Sequence, residues 1–318
     1  MMQAFRITDA LRCILFNAPR GPNLACTRES LLGTGYPSNI RFWRETFSQS
    51  RHRLTTVSWE GMHLGGLASA HIRNSGKLWE IDRLYLGEGV VPALYLAPGG
   101  DSLAARTVTE LLGGLILLAT ERSAQRILLR LAADSPLMPA AQRAGFFPCF
   151  RESLLTGALT VVSSDKLAPP LQEPSARAPQ DDFSLFQLYS ATTPAPVRDA
   201  LALTFDQWQE LQEPLCRRGQ EWVIQVDGRL VGWMSLSPVS QGIIGRATVH
   251  PEHPKAVESF LELASAQPGA HHWLVPDYLT HVASALQHRG LQPVAGYDVL
   301  AASVAARVLQ RGMAPVEA

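Results

Sequence analysis

Two carboxylates, Glu80 and Asp82, alternate along the run WEIDRLYL at 79–86. Residues two apart in an extended strand project to the same side, so both reach one face. A carboxylate held there can take a proton from an incoming nucleophile. The ordinary alternative is that they face solvent or pair with Arg73 or Arg83. Further along, Gly99-Gly100-Asp101-Ser102-Leu103 leads into the helical run SLAARTVTELLGGLILLAT. The first turn of a helix offers unpaired N–H groups and a partial positive charge, and small residues let an anion reach them. The structural use of the same stretch is a glycine turn with Asp101, beside Ser102, as the helix cap. Asp134, just before Ser135-Pro136, stands where a short helix begins, and capping that helix is its simplest role.

Other reactive residue types form no constellation. His250-x-x-His253 and His271-His272 lack a third acidic or cysteine ligand, so no metal is expected, and HPEHP reads as a turn. Cys13, Cys26, Cys149 and Cys216 are scattered without a Cys-x-x-Cys pair, which suits free thiols in a reducing cytoplasm. The seven tryptophans fall mostly in strand or helix patterns and read as core or interface residues. Gly-x-Ser-x-Gly and phosphate-binding Gly-Lys-Ser/Thr motifs are absent from the sequence.

The elements that position these residues occur twice. Gln125–Leu155 and Ala270–Leu300 align without a gap, so that Gly145 matches Gly290, Pro148 matches Pro293 and Leu155 matches Leu300. Each copy reads as strand, short helix, glycine and strand, with the glycine ending the helix through a left-handed residue. Upstream, HRLTTVSWEGMHLGGLASAHI at 52–72 and EWVIQVDGRLVGWMSLS at 221–237 read as hairpins with turns at Glu60-Gly61 and Asp227-Gly228. Trp79–Leu86 and Ile243–Val249 give the next strands. Helices are predicted over Ser102–Thr120 and Lys255–Ala266, over Pro194–Leu211 with a break near Thr204, and over Ser38–Phe47. Between the copies, SSDKLAPPLQEPSARAPQDD at 163–182 replaces periodic hydrophobics with proline, serine and charge, as an extended linker does. The expected division is 1–162, linker 163–182, and 183–318.

A chain of 318 residues suits two domains, and 46% hydrophobic residues suit ordinary cores. Twenty-eight basic and 28 acidic residues balance to zero net charge, which argues against a nucleic-acid or anionic-membrane partner. The start of the chain has no long apolar core after a basic stretch, and the strongest apolar run, Leu111–Ala119, is too short to span a bilayer. A cytoplasmic protein is expected.

The element order resembles that of the GNAT superfamily of N-acetyltransferases. The resemblance is carried by ILLRLAADSPLMPAAQRAGFFPCFRESLL in the first half, and by EWVIQVDGRLVGWMSLS and RATVHPEH in the second. Gly145-Phe146 matches the family's Gly-Phe pair and Gly290-Leu291 matches it more softly. The resemblance covers most of both halves. It implies an α/β fold of two tandem GNAT-like domains, each a mixed, mostly antiparallel twisted sheet with helices on both faces. It also implies an acetyl-CoA co-substrate, entering where the central strands splay and resting its pyrophosphate on a glycine loop. Carried onto this chain, the cofactor residues are Leu84, Leu86, Gly99, Gly100, Ser102, Leu103 and Asp134, with Glu80 or Asp82 as base. The implied activity is transfer of an acetyl group to the amine of a small molecule or peptide. The alternative is a binding or regulatory protein that kept the fold and lost the reaction. Three departures bear on this choice. The second half has HPEHPKAVESF, without glycine and with Pro254 removing a donor. Ala141 and Leu286 stand where the family often has tyrosine. Gly87–Gly100 is additional length in the first half.

Overall fold

A computed structural model describes residues 2–4, 22–27, 53–61, 63–73, 76–87, 102–160, 173–212, 219–239 and 241–304. The predicted helix at Ser38–Phe47 and the extra segment from Glu88 onward lie outside them, as do Gly99, Gly100 and Asp101.

The first half holds β1 (Met2–Ala4), β2 (Arg53–Glu60), β3 (His63–Ile72), β4 (Leu78–Leu86), α1 (Leu103–Glu121), β5 (Arg126–Ala132), α2 (Met138–Arg143) and β6 (Phe147–Gly157). The second holds β7 (Ser175–Ala176), α3 (Asp182–Thr192), α4 (Ala195–Leu201), α5 (Phe205–Leu211), β8 (Gln220–Val226), β9 (Arg229–Val239), β10 (Gly242–Val249), α6 (Ala256–Ser265), β11 (His271–Pro276), α7 (Thr280–His288) and β12 (Gln292–Ser303). Local chemistry accounts for their ends. Asp227 and Gly228 both take positive φ, 50° and 76°, which a tight hairpin turn needs. Gly145 and Gly290 end their helices at φ 97° and 100°. Ser102 caps α1, its side chain accepting from the Ala105 N–H at 3.1 Å. The helical break falls at Thr204, which forms a capping box with Gln207.

The twelve strands of the described residues form one sheet in the order β1-β2-β3-β4-β5-β12-β6-β11-β10-β9-β8-β7. Among the described residues only β4–β5 and β10–β11 pair in parallel. The order shows a reciprocal exchange. β6, which closes the first half, pairs with β11 of the second. β12, which closes the second half, pairs with β5 of the first. The two exchanged strands pair with each other at the centre of the sheet. The cores are shared accordingly. Leu300 and Ala302 of β12 belong to the core beneath α1, and Leu155 of β6 belongs to the core with Phe260 and Trp273. Part of the predicted linker is ordered: β7 adds an edge to β8, and Arg177 pairs with Glu221 at 2.5 Å and with Asp182.

α1 and α2 cover the face that carries Trp79, Ile81 and Leu129, and α6 packs on Gly232 of the second half, where an added Cβ would lie 2.8 Å from Phe260. α3 and α5 lie on the opposite face against Val223 and Trp233. α1 is long and apolar enough by composition to cross a membrane, but Val108, Leu111, Leu112 and Leu115 bury its inner side against the sheet.

Candidate active site

Each parallel pair runs together for only a few residues and then parts. The β4–β5 register ends at Ile81 opposite Leu129, and that of β10–β11 ends at Gly245 opposite Trp273. Beyond these points the strands expose backbone donors and acceptors to whatever lies between them. In β4 the parting follows a register shift that leaves Asp82 as an extra residue between Ile81 and Arg83, and such a bulge bends its strand.

The first gap is filled by the chain itself. The Asn23 side chain donates to the Asp82 carbonyl at 2.8 Å and accepts from the Leu84 N–H at 2.9 Å. The Leu24 N–H donates to the Leu84 carbonyl at 2.8 Å, and the Cys26 N–H to the Arg130 carbonyl at 2.9 Å on β5. Ala25 is fully buried. Leu84, a predicted cofactor residue, therefore has both its backbone groups engaged, and its side chain lies in the core, as does that of Leu86.

The second gap opens into a cavity of about 190 Å³ that both halves line. From the second half come Arg246 and Thr248 of β10, Leu274 and Pro276 of β11, and Tyr278 beyond it. Tyr189 and Thr192 of α3, with Thr193 just past its end, also line it. The first half supplies Arg73, Glu80, Arg130 and Glu152. These last four form a chain of charges. Arg73 hydrogen-bonds Glu80, Arg130 lies 3.6 Å from Glu80, and the Arg130 Nε–H donates to Glu152 at 2.8 Å. Glu152 is 1% exposed, and a carboxylate so deep depends on such pairing. Arg246 sits 5.6 Å over the Trp233 ring and donates to Ser235 at 3.2 Å. Burial raises the Tyr189 hydroxyl to about 12 and lifts that of Tyr278 far above the usual phenol range. Both stay protonated near neutrality, and the Tyr189 hydroxyl donates to the Ala202 carbonyl at 3.3 Å.

The two predicted carboxylates have parted company. They share one strand face, both lying close enough to His71 to act on its charge. Glu80 lines the cavity. Asp82 does not: it pairs with Arg53 at 2.6 Å, and burial raises its pKa against the pull of Arg53 and Arg83. Glu80 is thus the carboxylate within reach of a bound molecule, and Arg73, named as its ordinary partner, is indeed beside it. Ser102, rather than the expected Asp101, is the cap of α1, and the helix begins at Leu103. Asp134 is exposed on the turn after β5 at φ 61°, and Ser135, not Asp134, accepts from the Leu137 N–H at 3.3 Å.

Sequence reasoning missed Arg130, Glu152, Tyr189, Arg246 and Tyr278. Their signal was weak because they are scattered along the chain without a shared motif, and only the fold brings them together. Trp233, expected in a core or interface, lines the cavity as well. His250 builds a turn, its Nδ1 accepting from the Glu252 N–H at 3.3 Å.

No family model and no curated protein matches the chain. Solved structures similar to it include N-acetyltransferases of the GNAT family. A GCN5-related N-acetyltransferase from Sphaerobacter thermophilus is 13% identical over 96% of this chain and 95% of its own, with a TM-score of 0.48. A tandem GNAT protein from the clavulanic acid biosynthesis pathway is 12% identical over 89% and 98%, with a TM-score of 0.45. A GCN5-related N-acetyltransferase from Anabaena variabilis is 10% identical over 89% and 73%, with a TM-score of 0.47. Likeness this distant carries no information about the reaction, which has to be argued from the site.

Proposed function

We propose that the chain is an acyl-CoA-dependent N-acyltransferase in which the first half takes acetyl-CoA and the second half walls the acceptor. The observation that carries this reading is the position of Glu80. It lines the shared cavity one residue before the last paired residue of β4, beside the first gap. A thioester arm lying between β4 and β5 would bring its carbonyl carbon to the end of the cavity where Glu80 sits. An amine held there would attack that carbon, Glu80 would accept its proton, and the CoA thiolate would leave. Holding the two reactants in register supplies much of the rate in such a reaction. Leu84 and Leu86 would offer backbone groups to the arm. Gly99, Gly100, Ser102 and Leu103 would receive the pyrophosphate at the start of α1, with Asp134 near the arm. The second half is less suited to hold the phosphates: the N–H groups of Ala256, Val257 and Glu258 already donate to His253, Pro254 and Lys255.

A second reading, a binding protein without the reaction, is favoured by the filled first gap and by Ala141 and Leu286 in the places where the resemblance implies tyrosine. Calorimetry with acetyl-CoA, coupled to thiol release in the presence of an amine panel, separates the two. The enzyme reading expects binding that Gly100→Glu abolishes, and turnover that Glu80→Gln lowers about 100-fold, the scale of a lost general base. Binding without turnover supports the second reading. No binding at millimolar acetyl-CoA overturns the first.

A further inference from the structure

The two gaps of this sheet provide an internal comparison. Both arise in the same way, from a parallel pair that parts after a few residues. Past Gly245 the second gap remains open as part of the cavity. Past Ile81 the first holds residues 22–27, joined to β4 at Asp82 and Leu84 and to β5 at Arg130. The segment does what a ligand in that place would do, pairing with strand edges that would otherwise be left without partners.

We propose that residues 22–27 are a releasable strap that competes with the acyl-CoA arm for the first gap, so that the protein folds with this site occupied by itself. The inference rests on the acyltransferase reading above and adds its regulation. Three features mark the segment as exchangeable. First, its hold on β4 is made of amide groups. The Asn23 carboxamide donates to the Asp82 carbonyl and accepts from the Leu84 N–H, and a backbone N–H serves the Leu84 carbonyl. The pantetheine arm of CoA carries two amides, so an incoming arm can replace these bonds without leaving the edge unsatisfied. Second, the only fully buried side chain in the segment is the methyl group of Ala25, while Asn23, Leu24 and Cys26 are partly exposed. Third, the segment meets the cavity through a residue the site uses. The backbone carbonyl of Arg130 receives the Cys26 N–H, and its guanidinium both donates to the Cys26 carbonyl at 3.3 Å and pairs with Glu152. Departure of the strap would free part of that guanidinium toward the cavity.

Cys26 is a built-in probe. It is a half-buried free thiol whose pKa is raised by burial, so it reacts slowly while the strap is seated. Cys149, a free thiol on β6, serves as the reference. The test is peptide-resolved alkylation of Cys26 in the full-length protein, with calorimetry of acetyl-CoA binding on the same samples. Asn23→Ala removes two of the strap's bonds, and Ala25→Arg places a charged chain where only a methyl fits. Far-UV circular dichroism and a urea midpoint confirm that each variant folds, with Asn23→Ala as the milder one. The expected result is a tenfold or greater rise in Cys26 labelling in both variants, with Cys149 unchanged, and acetyl-CoA affinity raised at least tenfold. Saturating acetyl-CoA should also accelerate Cys26 labelling in the unmodified protein. Cys26 labelling unmoved by Asn23→Ala or by bound acetyl-CoA overturns the strap and leaves the acyltransferase reading standing. Faster labelling in the variants with acetyl-CoA affinity unchanged overturns the competition alone. Faster labelling with no acetyl-CoA binding in any form overturns the acyl-CoA reading and the competition with it.

Discussion

Leu300 of β12 lies directly opposite Leu129 of β5, although one closes the second half of the chain and the other belongs to the first. Both are fully shielded from solvent in the core beneath α1. The first half therefore completes its core with a strand from the second, and Leu155 returns the exchange.

A direct consequence concerns fragments. Cutting the chain between Lys166 and Leu167 and producing each piece alone should give material without a cooperative unfolding transition, because each lacks the strand that closes its sheet. Coexpressed, the pieces should copurify as one complex with a single transition. Two separately folded fragments in circular dichroism and urea titration would show that the halves are independent.

Glu152 gives a second prediction. Truncation by Glu152→Ala removes the carboxylate that accepts from Arg130 at 2.8 Å and leaves a guanidinium only 8% exposed. Loss of one partner of a buried pair costs about 3–5 kcal/mol, and the remaining contact with Glu80 at 3.6 Å places the expected loss near the lower figure. Glu152→Gln should cost less, since its carbonyl still accepts. Urea unfolding of the three proteins measures both.

At Gly245, the last paired residue of β10, an added Cβ would lie 2.2 Å from the indole of Trp273. Trp273 is fully buried and cannot swing away. Gly245→Ala should therefore destabilise by about 1–3 kcal/mol, the usual cost of overpacking, and should alter the Trp273 environment in near-UV circular dichroism.

Two histidines set a pH dependence. Burial lowers the pKa of His71 and of His271, so the folded protein resists protonating them. The unfolded chain binds protons first, near the ordinary histidine value of about 6.5. Their stabilising effect is complete above that value and is lost as pH falls through it toward the folded values. Asp82, with its pKa raised, acts in the opposite sense at lower pH. His271 isolates the effect, being 1% exposed with its Nε2 near the Gln267 carbonyl at 3.3 Å. His271→Asn should reduce the loss of stability between pH 7.5 and 5.5, read from urea midpoints; an unchanged difference would remove His271 from the account.

The sequence by itself determined what depends on neighbours along the chain. Asp227-Gly228 announced a hairpin because the turn needs two positive φ angles. Gly145 and Gly290 announced two helix ends for the same reason, and the repeat they belong to is visible in the strand order. Alternation placed Glu80 and Asp82 on one strand face, but alternation says nothing about what stands opposite that face. Tertiary structure decided that β6 and β12 change places, because the repeated segments carry interchangeable strands and a periodic pattern does not record its pairing partner. Tertiary structure likewise set Glu152 against Arg130 and put Glu80 at the cavity while Asp82 pairs with Arg53. It was also tertiary structure that laid Asn23 and Leu24 along Leu84, a contact between distant segments made through backbone groups that every residue carries.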